Sequence, residues 1–359
     1  RMIRNRLTVL ACMAVIVTLL AFAHGAPALA QGGSGRLVVY SAAPLDFAES
    51  LKRAFEALHP GTTVEIVNPG GAEAIIAKLA AERHNPQADV FHSGAVFEFL
   101  VAAKMGLLAR TDPAVIAPDL PQALEIAGAR IPLYDEEGRW YVWGFSLGVI
   151  GYNERRLEQL GLPVPRRWQD LADPRYRGQI VFNMPQQSSS AFNTLVAHYQ
   201  MFGEEGVWEL WDAIDRNIAF YTPSTGALYS LVARGEVPIS FGTARNYYVN
   251  RAEGHAVNVV YPEEGAWVFA TAVGIVEGAK NRELAEAFVR FVLSPEGQVH
   301  AANHFQNPIR KGIQATAHSV DLSVEYVENT VPKIVVVDSA LAEEIREEVM
   351  RRFDRYTSR

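Results

Sequence analysis

The residues best suited to chemistry form a run of three hydroxyl side chains, Ser188, Ser189 and Ser190. An apolar run at 179–183 precedes them, and a run with helical periodicity at 192–201 follows. The serines therefore lie where a strand passes into a helix, and there a serine caps a free backbone N–H. Free N–H groups and the helix dipole also attract anions. We expect this turn to form one wall of a ligand pocket; the simpler interpretation is that it only caps the helix.

Similar turns follow several other apolar runs. In an open α/β sheet, ligands bind beyond the carboxyl ends of the strands, where such turns lie. We therefore expect the hydroxyl groups and helix N-termini of these turns to face one cleft. The additional candidate ligand residues in these turns are Ser41, Ala42, Ser93, Gly94, Ser224, Thr225 and Thr243.

Repeated strand–turn–helix units on both sides of a central block predict an α/β protein with parallel strands. Two long apolar segments, 140–152 and 266–276, bracket that block and read as extended crossing strands. The simplest architecture is two lobes joined by these strands. We place lobe 1 at 36–143 plus 275–312 and lobe 2 at 144–274, with a C-terminal helical segment at 313–359 that packs on the lobes.

The first 30 residues have the pattern of a secretory signal peptide. A basic start with Arg1, Arg4 and Arg6 precedes a long apolar run, and small residues at 28–30 predict cleavage after Ala30. The single cysteine, Cys12, lies within this segment, so the exported chain has no thiol for a disulfide. We expect the mature protein to function in a bacterial periplasm.

Charge narrows the possible partners. Removing residues 1–30 takes away three arginines and no acidic residue, so the net charge falls from −7 to −10. An acidic surface argues against nucleic acid or an anionic membrane as the main partner. The motifs of Ser hydrolases, zinc proteases and nucleotide-binding enzymes are missing from the sequence, so we do not expect an enzyme.

Six short motifs resemble those of periplasmic solute-binding proteins of ABC importers, in the group that contains ferric-ion-binding and hexose-phosphate-binding proteins. This resemblance implies a two-lobed, venus-flytrap fold of type II and ligand capture in the interlobe cleft. It also implies delivery to an inner-membrane ABC permease by a monomer without a cofactor. The motifs are residues 38–41, 86–91, 148–153, 167–174, 233–237 and 293–298.

The resemblance leaves the ligand open. Arg245 beside a turn residue suits a phosphate or carboxylate group. Glu264 lies in a Pro-Glu-Glu-Gly turn like one in the hexose-phosphate-type and phosphonate-type members, where a carboxylate can accept from a sugar hydroxyl or an amine. We therefore expect a small anionic solute of the phosphate-ester, phosphonate or carboxylate type.

Two alternatives stay open. Ferric members of the group use two adjacent tyrosines, and Tyr247 and Tyr248 lie in about the same place, so Fe(III) with a synergistic anion is one alternative. The two tyrosines can equally be half-buried aromatic residues. The other alternative is a sensor that docks on a membrane receptor instead of a permease.

Overall fold

The structure is a computed structural model that describes residues 35–358. The predicted signal peptide lies outside the described residues. Within 35–358, none of the helices combines the length and the apolar character that crossing a bilayer requires.

The described residues alternate between strands and helices along most of the chain. The strands are β1 (Gly35–Ser41), β2 (Thr62–Val67), β3 (Val90–Ala95), β4 (Ala123–Ile126), β5 (Ala129–Pro132), β6 (Tyr141–Asn153), β7 (Ile180–Asn183), β8 (Ile218–Thr222), β9 (Ile239–Thr243), β10 (Val257–Val260), β11 (Ala266–Ile275) and β12 (Ile334–Val336). The α-helices are α1 (Leu45–Leu58), α2 (Ala72–Ala81), α3 (Val96–Lys104), α4 (Pro113–Ile116), α5 (Glu154–Leu160), α6 (Ser189–Asp215), α7 (Thr225–Ala233), α8 (Ala244–Ala252), α9 (Arg282–Leu293), α10 (Pro295–Asn303), α11 (Val324–Thr330) and α12 (Ser339–Thr357).

One continuous sheet runs through the molecule in the order β2-β1-β3-β11-β6-β9-β7-β8, with β10 also on β6 and β12 also on β11. The strands β1, β2 and β3 are parallel to one another, and so are β7, β8 and β9. The predicted α/β class with parallel strands is therefore confirmed. A separate hairpin, β4–β5, completes the strand pairing.

The two long strands β6 and β11 connect the halves of the sheet as an antiparallel ribbon. The first half of β6 pairs with β11 as far as Leu147, and from Gly148 onward β6 pairs with β9. Likewise, β11 pairs with β12 up to Val268 and with β3 from Thr271. Each crossing strand thus changes a pairing partner near its middle, so this ribbon connects the two lobes.

The sheet half that contains β7 and β9 packs against α6 and the C-terminal helix α12. Aromatic rings fill this interface: Phe182 stacks on Phe241, and Trp211 meets the edge of Phe353. Helix α6 contains a break at Gly203, whose φ of 71° is not helical, so it consists of two helical segments. The apolar face of α12 buries Ala342, Ile345, Val349, Phe353 and Tyr356.

Gly148 lies at the point where β6 changes partners, and its hydrogen leaves room for Trp267. A Cβ atom there would be 2.0 Å from the indole Nε1 of Trp267, whose side chain is buried. We expect Gly148→Ala to lower the free energy of unfolding by about 2 kcal/mol, because a packed core resists added volume. Urea unfolding measures this effect. Gly206→Ala in α6, where a Cβ is 3.5 Å from its nearest neighbour, is the control and should not destabilise the protein; equal losses would contradict the argument.

Candidate ligand cleft

The turn after β1 is tied to the end of β3. The hydroxyl Oγ of Ser41 lies 2.9 Å from Nδ1 of His92 and accepts a hydrogen bond from the backbone N–H of Ala43. The backbone N–H of Ala42 donates to the carbonyl oxygen of His92. The first two predicted ligand residues therefore belong to a fixed turn at the edge of the first lobe's sheet.

His92 is buried, and burial lowers its pKa to about 3, so its imidazole is neutral at neutral pH. Its ring stacks on Trp143, with 5.2 Å between centroids, and Phe47 packs against both rings. Among the described residues, neither Nε2 of His92 nor Nε1 of Trp143 has a hydrogen-bond partner. Two buried polar nitrogens thus lie in one aromatic cluster behind the turn.

Ser93 adopts a φ of 66°, in the left-handed region that non-glycine residues seldom enter. Its side chain is buried. The next residue, Gly94, packs so closely that a Cβ atom would lie 3.0 Å from Cβ of Ala72. Ser93 and Gly94 lie within β3, which continues to Ala95, and not in a turn after the strand as the sequence pattern predicts. Strained backbone of this kind is concentrated at functional sites, which directs attention to the end of β3, next to the start of α3.

On the second lobe, Ser188 is the N-cap of α6. Its Oγ accepts a hydrogen bond from the N–H of Ala191 at 3.3 Å and lies 3.1 Å from Oγ of Ser190. Ser188 is buried, Ser190 is half-buried and Ser189 is exposed. The capping role that the sequence predicts for this turn is present, with Ser188 as the capping residue.

The turn after β8 lies beside the serine turn, because β7 and β8 are parallel neighbours. The side-chain amide of Asn183, at the end of β7, donates to the carbonyl oxygens of Thr222 and Ser224 and so joins the two turns. Ser224 is exposed and caps α7 through the N–H of Ala227. Thr225 is the first residue of α7.

A third polar turn in this lobe follows β9. The phenol of Tyr229 accepts a hydrogen bond from the N–H of Thr243 at 3.0 Å and lies 3.2 Å from its Oγ1. The side-chain amide of Asn246 donates to the same Oγ1 at 2.9 Å. Tyr229 and Asn246 therefore hold the N-terminus of α8, although the sequence pattern did not single out either residue.

Arg245, in the first turn of α8, bridges the two lobes. Its Nε donates to the carbonyl oxygen of His304 at 3.1 Å, and its backbone N–H donates to Oγ of Ser146 on β6. Burial lowers the pKa of its guanidinium below the ordinary value, and the charge of Asp46 opposes that shift. An arginine stays charged even so. Arg245 forms no ion pair with a described residue, so its charge has no carboxylate partner.

Asp46 and His304 complete this part of the cleft. Oδ2 of Asp46, in the first turn of α1, lies 4.0 Å from Nε2 of His304, and the Asp46 side chain is largely exposed. Asp46 follows the Ser41 turn closely in the sequence, and this short spacing could have indicated that Asp46 lies near the cleft. The place of His304 was not predictable, because it arrives from the end of α10, far along the chain.

Glu264 has a structural role, because its carboxylate is bonded to the backbone. Its carboxylate accepts hydrogen bonds from the backbone N–H groups of Trp168 and Gln169, at 3.1 and 3.3 Å. These groups begin a 3₁₀ helix, Trp168–Ala172, so the carboxylate caps that helix. The structure does not bring Glu264 into contact with the polar turns described above.

The phenol groups of Tyr247 and Tyr248 do not converge. Tyr247 is buried against Gly151, with its hydroxyl 2.7 Å from Oγ of Ser240, whereas the hydroxyl of Tyr248 lies 2.8 Å from that of Tyr261. Burial raises the pKa of Tyr247 well above its ordinary value and that of Tyr248 to about 12. Both phenols are therefore protonated at neutral pH and face separate partners.

A cavity of about 550 Å³ lies along β11, between the start of α3 and α6. Ala95 and Asn193 contribute to its wall, as do aromatic and charged side chains of the segment 134–140. None of the predicted ligand residues lines it, although Ser93 and Gly94 directly precede Ala95. The backbone of Arg245 is bonded to Ser146 on β6, whereas the cavity lies along β11, and β6 and β11 are paired strands of the ribbon.

Replacing the capping serine tests its contribution to stability separately from ligand binding. We expect Ser188→Ala to lower the free energy of unfolding by about 1 kcal/mol, since an N-cap hydrogen bond is lost. Ser189→Ala, beside it but exposed, should change stability by less than about 0.5 kcal/mol. Urea denaturation of the two variants measures both values. A larger loss for Ser189→Ala than for Ser188→Ala would contradict the assignment.

Two α/β lobes on a two-stranded ribbon, with helix N-termini and the half-buried cation Arg245 at the cleft, define a two-lobed solute receptor of type II. A family model for bacterial extracellular solute-binding proteins matches residues 85–327. The chain belongs to this family of ABC-transporter solute-binding proteins. Members bind small solutes and deliver them to ABC permeases, so the family is one of solute-binding proteins.

Relatives extend the comparison. An uncharacterized protein from Haemophilus influenzae is 32% identical over 76% of this chain and 78% of its own length. A Salmonella typhimurium protein named "Putative 2-aminoethylphosphonate-binding periplasmic protein" is 27% identical over 70% and 71%. The periplasmic binding protein AfuA from Actinobacillus pleuropneumoniae, solved with fructose 6-phosphate bound, has a TM-score of 0.71 at 25% identity and covers 91% of this chain and 99% of its own. Solved ferric-ion-binding proteins share the fold at 18–20% identity.

Proposed function

We propose that the ligand is a small organic phosphonate or phosphate ester, held in the interlobe cleft. One observation carries this proposal: the guanidinium of Arg245 is half-buried, is positively charged and forms no ion pair with a carboxylate of the described residues. A buried charge without a partner is costly, and an oxyanion is the group that compensates it best.

The surroundings of Arg245 favour an anion as well. The residue occupies the first turn of α8, where the free N–H groups and the helix dipole are positive. The capped N-terminus of α6 lies in the same lobe and can present further N–H groups. In this proposal, Ser41 and Ser93 face the cleft from the other lobe. They would bind the uncharged part of the solute.

The relatives support the same class of solute. One relative is named for 2-aminoethylphosphonate, and the structure of another contains fructose 6-phosphate; both compounds carry a phosphorus oxyanion. The exposed carboxylate of Asp46, across His304 from Arg245, offers a partner for an ammonium group. We therefore propose that an aminophosphonate fits the polar region better than a sugar phosphate does.

The direct test is calorimetric titration of the mature chain with 2-aminoethylphosphonate, fructose 6-phosphate, phosphoglycerate and a dicarboxylate. We expect one bound molecule per chain for a solute that carries a phosphorus oxyanion. A solute at about 100 times its dissociation constant should add roughly 2.7 kcal/mol of stability, visible as a rise in Tm. Binding of the dicarboxylate alone, or of no phosphorus oxyanion, would overturn the proposal.

The ferric alternative has less support from the geometry. An Fe(III) site would need two phenolates that converge, whereas Tyr247 and Tyr248 donate or accept within separate buried pairs and have raised pKa values. We propose that these tyrosines support the second lobe. A ferric titration tests this directly: a phenolate-to-iron absorbance band that disappears in Tyr247→Phe would restore the ferric interpretation.

The site of action follows from the same proposal. We propose that residues 1–30 direct export, that the mature chain acts in the periplasm as a non-catalytic monomer, and that its partner is an ABC permease and not a sensor receptor or a nucleic acid. Gene neighbours that encode a permease and an ATPase would support this partner, and a neighbouring sensor kinase without them would support the sensor.

A further inference from the structure

A second basic region lies at the end of the second lobe that is remote from the cleft. Here β6 ends at Asn153 and β10 begins at Val257, whereas the cleft is at the opposite end of β9, by Thr243. A pocket of about 330 Å³ opens between the start of α5, the end of α7 and the turn before β10. It shares no lining residue with the cleft.

The charge of this pocket has one sign. The pocket is lined by Arg155, Arg156, Arg234 and His255, and by no acidic side chain of the described residues. Arg234 is paired with Glu236 outside the pocket, but neither Arg155 nor Arg156 forms an ion pair with a described residue. The chain as a whole carries a net charge of −7, so this local excess of positive charge is opposite to the general surface.

One buried donor points to a missing acceptor. Nε of Arg156 is buried and has no hydrogen-bond partner among the described residues. The backbone of Arg156 is fixed, because its N–H donates to Oδ1 of Asn153, whose amide in turn donates to the carbonyl oxygens of Val232 and Ala233. The guanidinium donates through Nη1 to Oε1 of Gln159 at 3.4 Å, whereas Nε has no acceptor among the described residues. A buried donor without an acceptor costs free energy that a bound oxyanion recovers.

We propose that this pocket is a second anion site, which binds a multivalent oxyanion of the phosphate class. A guanidinium presents its N–H groups in a planar fork that matches two oxygens of such an anion, and two unpaired arginines supply the charge for a dianion. The site is independent of the solute cleft, since Arg156 and Arg245 lie at opposite ends of the same sheet.

The experiment titrates inorganic phosphate into the Arg245→Ala protein, in which the cleft lacks its cation, and follows binding by calorimetry and ³¹P NMR line width. We expect one phosphate per chain. The further change Arg156→Gln should weaken phosphate binding at least tenfold, and Arg156→Lys should weaken it less, because it keeps the charge but loses the fork. Arg130→Gln is the matched control, since Arg130 is exposed and paired with Glu125, and it should leave phosphate binding unchanged.

Two results would contradict the proposal of a second anion site. One is phosphate binding that is equal with and without Arg156→Gln, in proteins with the same Tm in chloride buffer. The other is an effect of phosphate that sodium chloride reproduces at equal ionic strength. This test is separate from the test of the proposed solute. Binding in the cleft is measured with organic phosphonates, whereas binding at the second site is measured with inorganic phosphate.

Discussion

Arg245→Ala should weaken binding of the cleft solute by about 100-fold or more, which corresponds to at least roughly 2.7 kcal/mol. Hydrogen bonds between a guanidinium and an oxyanion are strengthened by charge, and the half-buried position of Arg245 excludes part of the water that would screen them. The helix N-terminus and the hydroxyl turns remain in the variant, so residual binding rather than complete loss is expected. Calorimetric titration with 2-aminoethylphosphonate gives both affinities.

Two controls separate this role from a structural one. Arg251, near the other end of α8, is exposed, and Arg251→Ala should leave solute affinity within about twofold. Arg245→Lys keeps the charge but loses the planar fork, and its affinity should lie between those of wild type and Arg245→Ala. If Arg245→Ala binds the solute as wild type does while its Tm is unchanged, the cation has no part in recognition.

The contacts of Arg245 also suggest how solute binding couples the lobes. Its side chain reaches the carbonyl oxygen of His304 from one lobe while its backbone is fixed to Ser146 on the ribbon. A solute oxyanion bound to the remaining N–H groups would add a further connection across the cleft. Binding then favours the arrangement in which these groups are close, as expected for receptors that close around a ligand.

The architecture was accessible from the sequence because it depends on local patterns. Short apolar runs followed by small-residue turns define β1, β3, β7 and β9, and two apolar segments of unusual length define the ribbon. The short strand β12 was not predicted, since its three residues become a strand only by pairing with β11, almost seventy residues earlier in the chain. The hairpin β4–β5 was missed for a similar reason: its four-residue strands have no long periodic pattern.

The turns that carry most of the candidate residues were predictable, but the contacts of the side chains were not. The turns after β1, β7 and β8 follow the carboxyl ends of parallel strands, as the pattern predicts, whereas Ser93 and Gly94 lie within β3. Which side chain remains available to a ligand depends on distant partners. Glu264 accepts a hydrogen bond from the backbone of Trp168, and the hydroxyl of Tyr248 is bonded to that of Tyr261. Neither contact can be predicted from the local sequence. Arg245 differs because no acid from elsewhere in the described chain comes to pair with it.

The second large effect concerns Glu98, a carboxyl group on α3 with only 7% of its surface exposed. Burial raises its pKa to about 7, Glu73 on α2 adds to the rise, and Arg346 on α12 opposes it. Its Oε2 has no hydrogen-bond partner among the described residues. The folded chain therefore holds a proton on Glu98 up to about pH 7, whereas the unfolded chain releases it near the ordinary value of 4.5. Stability consequently falls as the pH rises from 4.5 to 7, and the loss is complete above that range.

Glu98→Gln should remove this loss, because glutamine has the same shape and carries no charge at any pH. We expect the variant to be about 3 kcal/mol more stable than wild type at pH 8, since each unit of pKa shift corresponds to about 1.4 kcal/mol. At pH 5 the two proteins should differ by less than about 1 kcal/mol, because Glu98 is then protonated in the folded chain. Urea unfolding at both pH values measures the difference.

The comparison isolates Glu98 from the other buried groups that titrate. The pKa values of His92 and His198 are lowered to about 3 by burial, so both destabilise the fold as the pH falls below the ordinary value of 6.5, in wild type and variant alike. Glu343→Gln, on the exposed face of α12, is the matched control and should show no pH-dependent gain. A stability difference between Glu98→Gln and wild type that is the same at pH 5 and pH 8 would mean that Glu98 is ionised in the folded chain throughout this range, and that Arg346 compensates its charge.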